Sequence, residues 1–419
     1  MIITLYILLF IFILVFFISY IKKSTGDHLL RPFPGYVIIA TIFYIAGISV
    51  SPIKIENYTV LSIFMGVSFI ALGSYIATRH NKVPHTESDR SQIRENLRDT
   101  FPLKYVSAIA FAGLSVTLYL WRDGGIPLLA TNVDSARSIM LSNGYVATLA
   151  TVLDVSAIAC LAFCLSYKGF LKDKRFYVAL LIITIFVFVA ILSGSRTRLL
   201  KLIVPGFIIY HFIYKNISIL QLFYISIFGF LFIGGLGYYR AYSLWGLNTY
   251  DGLGMSAEDA SFHYLIFYYA TFELYVSIWG LQQVLENIPL TTDLSYGILH
   301  LGPILTPLQF DIPNPGEFFK STIGGQWSGF GLAATLFAPM YADLGFGGIA
   351  IASTIYGLIL GSFYNKTQII SAKTPYSVIL YAILNFFFLI GLRSNLVSFE
   401  IIWFMFVSYS IFIFRGRKY

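Results

Sequence analysis

Charged residues are scarce in this chain. Only 11% of its 419 residues are Asp, Glu, Lys or Arg, and 57% are hydrophobic, whereas about a quarter of a typical soluble domain is charged. A water-soluble fold could not bury this much apolar surface. Runs of about 20 apolar residues, the length that crosses a bilayer, recur along the chain between short charged or Pro/Gly-containing breaks. The composition therefore predicts an all-α, polytopic integral membrane protein.

Cysteine and the common catalytic motifs are also lacking. The two cysteines, Cys160 and Cys164, lie one helical turn apart in an apolar run, which favours packing over redox or metal chemistry. The chain contains no Asp-x-Asp or Asp-Asp, no His-x-x-x-His, no Walker-type Gly-x-x-x-x-Gly-Lys and no Gly-x-Ser-x-Gly. We therefore expect no metal site, no cofactor, and no nucleotide or serine-hydrolase chemistry.

Eleven membrane spans are predicted from the apolar runs. The first run has no basic residue before it and no clear small-residue cleavage site, and Lys22 and Lys23 follow it. We therefore interpret it as a retained span with its N-terminus outside, and not as a signal peptide. The predicted spans are 2–20, 36–53, 59–78, 105–121, 146–167, 176–193, 199–214, 220–238, 346–364, 377–391 and 401–414.

The distribution of basic residues favours one orientation. If the spans alternate from an outer N-terminus, 19 of the 28 Lys and Arg residues fall in inner connections and the C-terminus is cytoplasmic, as the positive-inside rule requires. The net charge of +8 then follows from topology, and no nucleic-acid partner is expected. The most charged connection, residues 79–104, is interpreted as a solvated cytosolic loop.

A long outer loop divides the chain into three parts. These are N-terminal transmembrane helices at 1–239, a periplasmic or external loop at 240–345, and C-terminal transmembrane helices at 346–419. The loop carries 9 of the chain's 20 acidic residues. Its apolar stretch 265–288 is interpreted as a helix lying on or dipping into the membrane, because a single crossing there would invert the C-terminal charges. Two crossings would preserve the orientation and raise the number of spans to thirteen.

Arginines on the predicted outer side are candidates for binding an anion. Arg196 and Arg198 immediately precede the apolar run that starts at Leu199, so they occupy the outer N-terminus of a helix. A bound phosphate would be favoured there by the helix dipole and by the paired donors of arginine. Arg240 and Arg393 mark two further outer helix ends. The alternative is that these arginines bind lipid headgroups or pair with acidic residues of the protein.

A general base is expected either in a span or in the long loop. Asp154 lies about two turns below the outer end of its span, a costly position for an unpaired charge. It is either a base or a salt-bridge partner that orients Arg196 or Arg198. In the loop, His263 lies close to Tyr264, and each histidine could equally be an ordinary hydrogen-bonded residue. The loop candidates are Asp251, Glu258, Asp259, His263, Glu273, Asp293, His300 and Asp311.

Three short motifs lie in order along the chain. They are Gly-Gly-Ile-Pro-Leu-Leu at 124–129 with Asp134 and Arg137 after it, Gly-Ser-Arg at 194–196, and Tyr-Ala-Asp-Leu-Gly-Phe-Gly-Gly at 341–348. In this order around a long outer loop, they resemble the Wzy-type polysaccharide polymerases. These are the oligosaccharide repeat-unit polymerases of O-antigen (lipopolysaccharide), capsule and exopolysaccharide synthesis.

The resemblance implies a GT-C-like membrane glycosyltransferase, related to the O-antigen ligases, in the bacterial inner (plasma) membrane. It implies transfer of a chain from undecaprenyl diphosphate to another lipid-linked repeat unit on the outer face, with inversion at the anomeric carbon and no metal. Its implied partners are the undecaprenyl-diphosphate-linked oligosaccharide, membrane lipid, and a flippase and chain-length regulator of the same pathway.

The resemblance also implies roles for the candidate residues. Outer arginines would hold the diphosphate, with Arg196, Arg198 and Arg240 preferred and Arg137 and Arg393 as second choices. The base would be His263, His300 or Asp154, in that order. Residues 337–340, which precede the third motif, contain no acid where some relatives carry one, so the base is expected elsewhere. The alternatives are an O-antigen ligase and, from another class, a lipid-linked sugar transporter or flippase, which would normally show repeats and mid-membrane ionisable groups.

Overall fold

The computed structural model describes residues 35–79, 87–130, 133–142, 144–167, 173–215, 262–290, 292–305, 315–325, 332–370, 376–394 and 399–413, with isolated residues between 217 and 239. Throughout these residues the regular structure is helical and no strand occurs, which confirms the all-α prediction for the described part. The predicted first span lies outside it, and the eighth is described only at scattered positions.

The helices are numbered here in chain order. They are α1 (Val37–Val50), α2 (Asn57–Thr78), α3 (Glu87–Thr100), α4 (Leu103–Gly124), α5 (Val133–Ser142), α6 (Gly144–Ala150), α7 (Val152–Leu165), α8 (Lys174–Leu192), α9 (Arg196–Ile213), α10 (Phe262–Asn287), α11 (Ile298–Leu305), α12 (Pro315–Thr322), α13 (Phe337–Ile370), α14 (Tyr376–Gly391) and α15 (Phe399–Ile413); one 3₁₀ turn, Pro127–Leu129, follows α4.

Eight of the predicted spans coincide with apolar helices. Among the described residues, five helical stretches are long and apolar enough to cross a membrane: Asn57–Thr78, Leu103–Leu129, Val146–Leu165, Lys174–Leu192 and Phe337–Thr367. Three shorter apolar helices, Val37–Val50, Tyr376–Gly391 and Phe399–Ile411, match three more predictions. The predicted span 199–214 corresponds to α9, whose first two turns carry three basic residues. The total number of crossings and the GT-C architecture remain predictions.

The described chain forms two compact units. One comprises the described parts of Met1–Thr86, Glu273–Ser371 and Leu384–Ile402, and the other those of Glu87–Phe272, Ala372–Ile383 and Trp403–Tyr419. Each unit therefore draws on separate stretches of sequence. The division of the chain into three consecutive parts remains a prediction.

In the first unit, α2 and α13 pack closely along a row of small residues. A β-carbon at Gly357 would lie 2.2 Å from the carbonyl oxygen of Ile70, and one at Gly361 would lie 2.6 Å from the β-carbon of Ala77. Side chains larger than glycine would separate the backbones. Contact positions rise together along both helices, so α2 and α13 run in the same direction, as the predicted topology requires of these two spans.

The chain breaks sharply inside α13. Leu344 and Gly345 have non-helical backbone angles, with φ of 62° at Gly345. The Ser353 hydroxyl contacts the sulfur of Met340 at 3.3 Å, although thirteen residues of straight helix would separate their backbones by about 20 Å. The short helical segment before the break therefore folds back against the long segment after it. The predicted span beginning at 346 starts at this break.

The stretch predicted at 265–288 is a continuous helix, α10. Its second half packs beside α1, where a β-carbon at Gly47 would lie 2.6 Å from Cδ1 of Ile278. Its last turns meet the start of α2, because Tyr58 donates a hydrogen bond to Glu286 Oε1 at 2.7 Å. The helix is confirmed, and its position relative to the membrane remains a prediction.

In the second unit, α7 packs among α4, α8 and α9. Glycines allow close approach on two sides: a β-carbon at Gly113 would lie 2.7 Å from Leu153 N, and one at Gly206 would lie 2.7 Å from Cδ2 of Leu161. Ten of the fourteen residues of α7 are buried, Asp154 among them. Asp154, in its first turn, is therefore enclosed by protein.

The prediction of a solvated loop at residues 79–104 is wrong for the second half of that stretch. Residues 87–100 form α3, whose inner face buries Ile93 and Leu97 completely. Arg94 is 3% exposed and donates to the carbonyl oxygen of Ile213 at 2.9 Å, at the C-terminus of α9. Charge content suggested a solvated connection, but the apolar and arginine side chains recur at helical spacing and dock the helix.

Candidate functional site

A histidine and an aspartate meet at the break in α13. Asp343, just before the break, is 2% exposed, and its Oδ2 is hydrogen-bonded to the ring Nδ1 of His300, in the first turn of α11. Its Oδ1 accepts the Ser295 hydroxyl at 2.5 Å. The backbone amides of Leu299 and His300 donate to the same carboxylate, each at 3.2 Å. Both carboxylate oxygens are therefore engaged by residues 295–300.

The other ring nitrogen of His300 points away from the carboxylate. The side chain is 21% exposed, and within the described part of the chain its Nε2 is buried without a hydrogen-bond partner. The ring of Tyr356 lies 6.1 Å from the His300 ring, between centroids. A neutral imidazole that donates through Nδ1 keeps a lone pair on Nε2. His300 is therefore chemically competent as a general base.

A second polar cluster lies in the other unit, near the start of α9. Arg198 contacts Oδ1 of Asp154 through Nε and Nη2, both at 2.9 Å. Nζ of Lys201 lies 3.6 Å from Oδ2 of the same carboxylate. The side chain of Asp154 is 1% exposed, and both basic side chains are 10% exposed. Two cations therefore share one carboxylate. The prediction that Asp154 pairs with Arg196 or Arg198 is confirmed as a contact with Arg198, while the role of Asp154 in the reaction remains a prediction.

The chain enters α9 through a turn that brings two sequence motifs together. Gly194 has a φ of 60°, a conformation that glycine adopts without strain, and Ser195 accepts the Arg198 N–H at 3.3 Å as the helix cap. A β-carbon at Gly194 would lie 3.0 Å from Cγ1 of Val133. Arg137 lies one turn further along α5, on the face of Val133. The first two motifs therefore meet where the α9 dipole favours an anion.

The remaining predicted site residues are placed only in part. Arg196 is the first residue of α9, and the structure describes only its backbone. Arg393 is half-buried in the turn after α14, where its backbone N–H donates to Ile390 O at 3.0 Å. His263 lies near the start of α10, again as backbone only. Arg240, Asp251, Glu258, Asp259 and Asp311 lie outside the described residues, Glu273 is described as backbone only, and Asp293 is exposed.

Sequence reasoning missed Asp343 and Ser295. Asp343 stands inside the third motif, directly before an apolar span, and this position of a lone acid was the available signal. Asp343 pairs with His300, 43 residues earlier, and no periodic pattern in the sequence relates the two positions. Among the described residues, no group of three or more His, Cys, Asp or Glu side chains could hold a metal ion.

A family match decides among the classes of membrane protein considered above. The model of the family described as "Putative O-antigen polymerase" matches residues 1–406. The chain belongs to the O-antigen polymerase family. No curated protein and no solved structure matches it. The predicted resemblance to Wzy-type polymerases is therefore confirmed at the level of the family.

Family membership gives this O-antigen polymerase a coarse function. It is a multi-pass membrane protein of polysaccharide biosynthesis, since the family match spans its apolar helices. The family implies a glycosyltransferase-like polymerase that takes a lipid-linked oligosaccharide as substrate within membrane lipid. Both polar clusters described above therefore lie in a protein whose substrate carries sugar hydroxyls and a lipid anchor.

Proposed function

We propose that this polymerase joins undecaprenyl-diphosphate-linked oligosaccharide repeat units on the outer face of the bacterial inner membrane. In this proposal it is a GT-C-type enzyme that inverts the anomeric carbon and uses no metal, with its N-terminus outside and its C-terminus in the cytoplasm. The family match supports the activity. The observation that carries the chemistry is His300, whose Nδ1 is held by Asp343 and whose Nε2 has no partner among the described residues.

His300 acts as the general base in the proposed reaction. Its Nε2 takes the proton from a hydroxyl of the acceptor's terminal sugar, and that oxygen attacks the anomeric carbon of the donor chain. The bond from the anomeric carbon to the diphosphate oxygen breaks, and undecaprenyl diphosphate leaves with the electron pair. The proton remains on His300 until it passes to solvent. His263 and Asp154 are the other proposed bases, and the contacts of Asp154 with two cations favour its alternative role as an orienting partner.

Arginines hold the donor diphosphate and stabilise the charge that grows on the leaving group. We assign this role to Arg196, Arg198 and Arg240, with Arg137 and Arg393 as second choices. Two features support the assignment for α9: its first turn offers backbone N–H groups, and Arg198 is fixed by Asp154. A fixed guanidinium loses less side-chain entropy when phosphate binds.

An O-antigen ligase is the nearest alternative, since it would use the same donor and deliver it to a lipid A-core acceptor. A lipid-linked sugar transporter is disfavoured by the family match. A flippase would supply the repeat units to this enzyme, and a chain-length regulator would limit its product.

The test is polymerisation by purified protein of a synthetic undecaprenyl-diphosphate repeat unit. We expect a ladder of longer products from the native protein. In Arg196→Ala and Arg240→Ala we expect kcat to fall by about 100-fold or more, the scale for removing one hydrogen-bond donor to a developing anion. Arg175→Ala is the control, because Arg175 pairs with Asp173 at the start of α8, a connection predicted to be cytoplasmic.

Each outcome has a separate meaning. A native protein that binds the lipid but makes no ladder would refute the polymerase assignment, and product formation only with lipid A-core would identify a ligase. Normal ladders from both arginine variants would refute the diphosphate assignment alone.

A further inference from the structure

We propose that Asp343 is a positioning residue, which fixes the orientation of the His300 ring and keeps the proton on Nδ1 so that Nε2 faces the acceptor hydroxyl unprotonated. This inference rests on the proposed role of His300 as base. It adds an acidic residue that does not touch the substrate and acts only through the histidine.

The hydrogen bonds around Asp343 determine which nitrogen carries the proton. The backbone amides of Leu299 and His300 can only donate to this carboxylate, and the Ser295 hydroxyl, which also lies 3.1 Å from Ala342 O, is within hydrogen-bond distance of it. A carboxylate that accepts two backbone N–H bonds is stabilised in its ionised form, so it accepts the bond from the His300 ring as well. Nδ1 of His300 therefore carries the hydrogen, and Nε2 is the basic nitrogen.

The same carboxylate fixes the segment that carries the histidine. The Leu299 and His300 amides belong to the first turn of α11, where backbone donors lack partners within the helix. Asp343 supplies these partners from another part of the chain. Two bonds to the backbone around the break, Ser295 N to Ala342 O at 2.8 Å and Tyr296 N to Asp343 O at 3.1 Å, hold residues 295 and 296 against it. The ring and its partner are therefore oriented by one connected set of bonds.

Asparagine cannot replace Asp343 in this arrangement. Its amide has one acceptor oxygen and one donor nitrogen. Because each oxygen of Asp343 accepts one backbone amide, the nitrogen must face another donor, either the Leu299 N–H or, beside the ring, the His300 N–H. If it faces the ring, Nδ1 becomes the acceptor and the proton moves to Nε2. The imidazole is then retained but presents a hydrogen where the base must present a lone pair.

The test is a double-mutant cycle in the polymerisation assay, with Asp343→Asn, His300→Ala and the double variant. We expect His300→Ala to lower kcat by about 100-fold to 10,000-fold, the usual contribution of a general base, and Asp343→Asn to lower kcat by at least about tenfold with little change in KM. The kcat of the double variant should be no lower than that of His300→Ala, because the effects of substituting residues that act as a unit are not additive. Glu317→Gln, an exposed acid of the same unit, is the control.

A second measurement separates positioning from folding. The ¹⁵N shifts of the His300 ring should report the Nδ1–H form in the native protein and the Nε2–H form in Asp343→Asn, and Asp343→Glu should restore part of the activity. If His300→Ala is fully active, the base assignment fails and this inference fails with it. If His300→Ala is inactive while Asp343→Asn keeps native kcat and ring shifts, or if the two losses multiply in the double variant, the positioning role alone is refuted.

Discussion

Removing the carboxylate of Asp154 is expected to destabilise the second unit strongly. The perturbation is Asp154→Asn, which keeps the size of the side chain but abolishes its charge. Arg198 and Lys201 remain 10% exposed, and both lose their contact with this carboxylate. Since withdrawing an ion from water costs several kcal/mol that an opposite charge must offset, the folded state is expected to lose stability.

The geometry sets the size of the effect. Coulomb's law at an effective dielectric constant of about 20 gives about 4–5 kcal/mol for unit charges 3.6 Å apart, the separation of Lys201 Nζ and Asp154 Oδ2. Arg198 adds a two-nitrogen contact at 2.9 Å. Part of this attraction only offsets desolvation, so the net loss expected when one partner of a buried pair is removed is about 3–5 kcal/mol.

The assay is resistance to unfolding in detergent, compared between Asp154→Asn and a double variant, Asp154→Leu with Arg198→Met. The double variant removes the carboxylate and one cation together, so it should recover much of the lost stability, as apolar replacement of a buried pair often does. Its polymerisation should stay lost if Arg198 binds the diphosphate. Unchanged stability in Asp154→Asn would refute the electrostatic reasoning, and a stable Asp154→Asn protein without activity would point to Asp154 as the base.

Two further predictions concern the fold. Gly357→Val should destabilise the contact of α2 with α13 by about 1–3 kcal/mol, the scale of overpacking, because its β-carbon would lie 2.2 Å from Ile70 O. Gly347→Ala, on the same helix with open space around it, is the control, and equal unfolding midpoints for the two variants would contradict the close packing. At the start of α8, hydrogen bonds from the Arg175 side chain hold the pKa of Asp173 below its ordinary value, so its stabilising effect is present at neutral pH and is lost as the pH falls below about 4. Asp173→Ala should therefore lower the Tm at pH 7 and converge with the native protein in acid, and a difference that persists in acid would contradict this origin.

The sequence predicts much of this fold because lipid constrains helices strongly. A span must be about 20 residues long and nearly free of charge, so the apolar runs that became α2, α7 and α8 could be located without any contact information. The break at Gly345 also lies at a predicted boundary. By contrast, α3 was misread, because a helix that packs through Ile93, Leu97 and Arg94 and is otherwise polar has the composition of a solvated loop.

The sequence predicted the types of residue in the candidate site, but only partly which side chains contact one another. A pairing of Asp154 with Arg196 or Arg198 could be expected as one of two roles for this acid, because an acid inside a span needs a cation and arginines lay at a neighbouring helix end. His300 was found as one loop histidine among several candidates. Asp343 was missed because the reversal at residues 344–345 positions it, and such a reversal brings together residues that neither helical periodicity nor sequence distance relates.

The two polar clusters differ in charge, and this difference supports the division of roles proposed for them. In the first cluster, His300 must be neutral to accept a proton. Both carboxylate oxygens of Asp343 accept hydrogen bonds from residues 295–300, and among the described residues Nε2 of His300 has no hydrogen-bond partner. In the second, Arg198 and Lys201 contact Asp154 near the N-terminus of α9, where the helix dipole favours an anion. A base beside surplus positive charge would bind its proton less readily, whereas basic side chains at a helix N-terminus favour a diphosphate. Exchanging the roles of the clusters would therefore impair both steps, which favours His300 as the base and the α9 cluster as the diphosphate site.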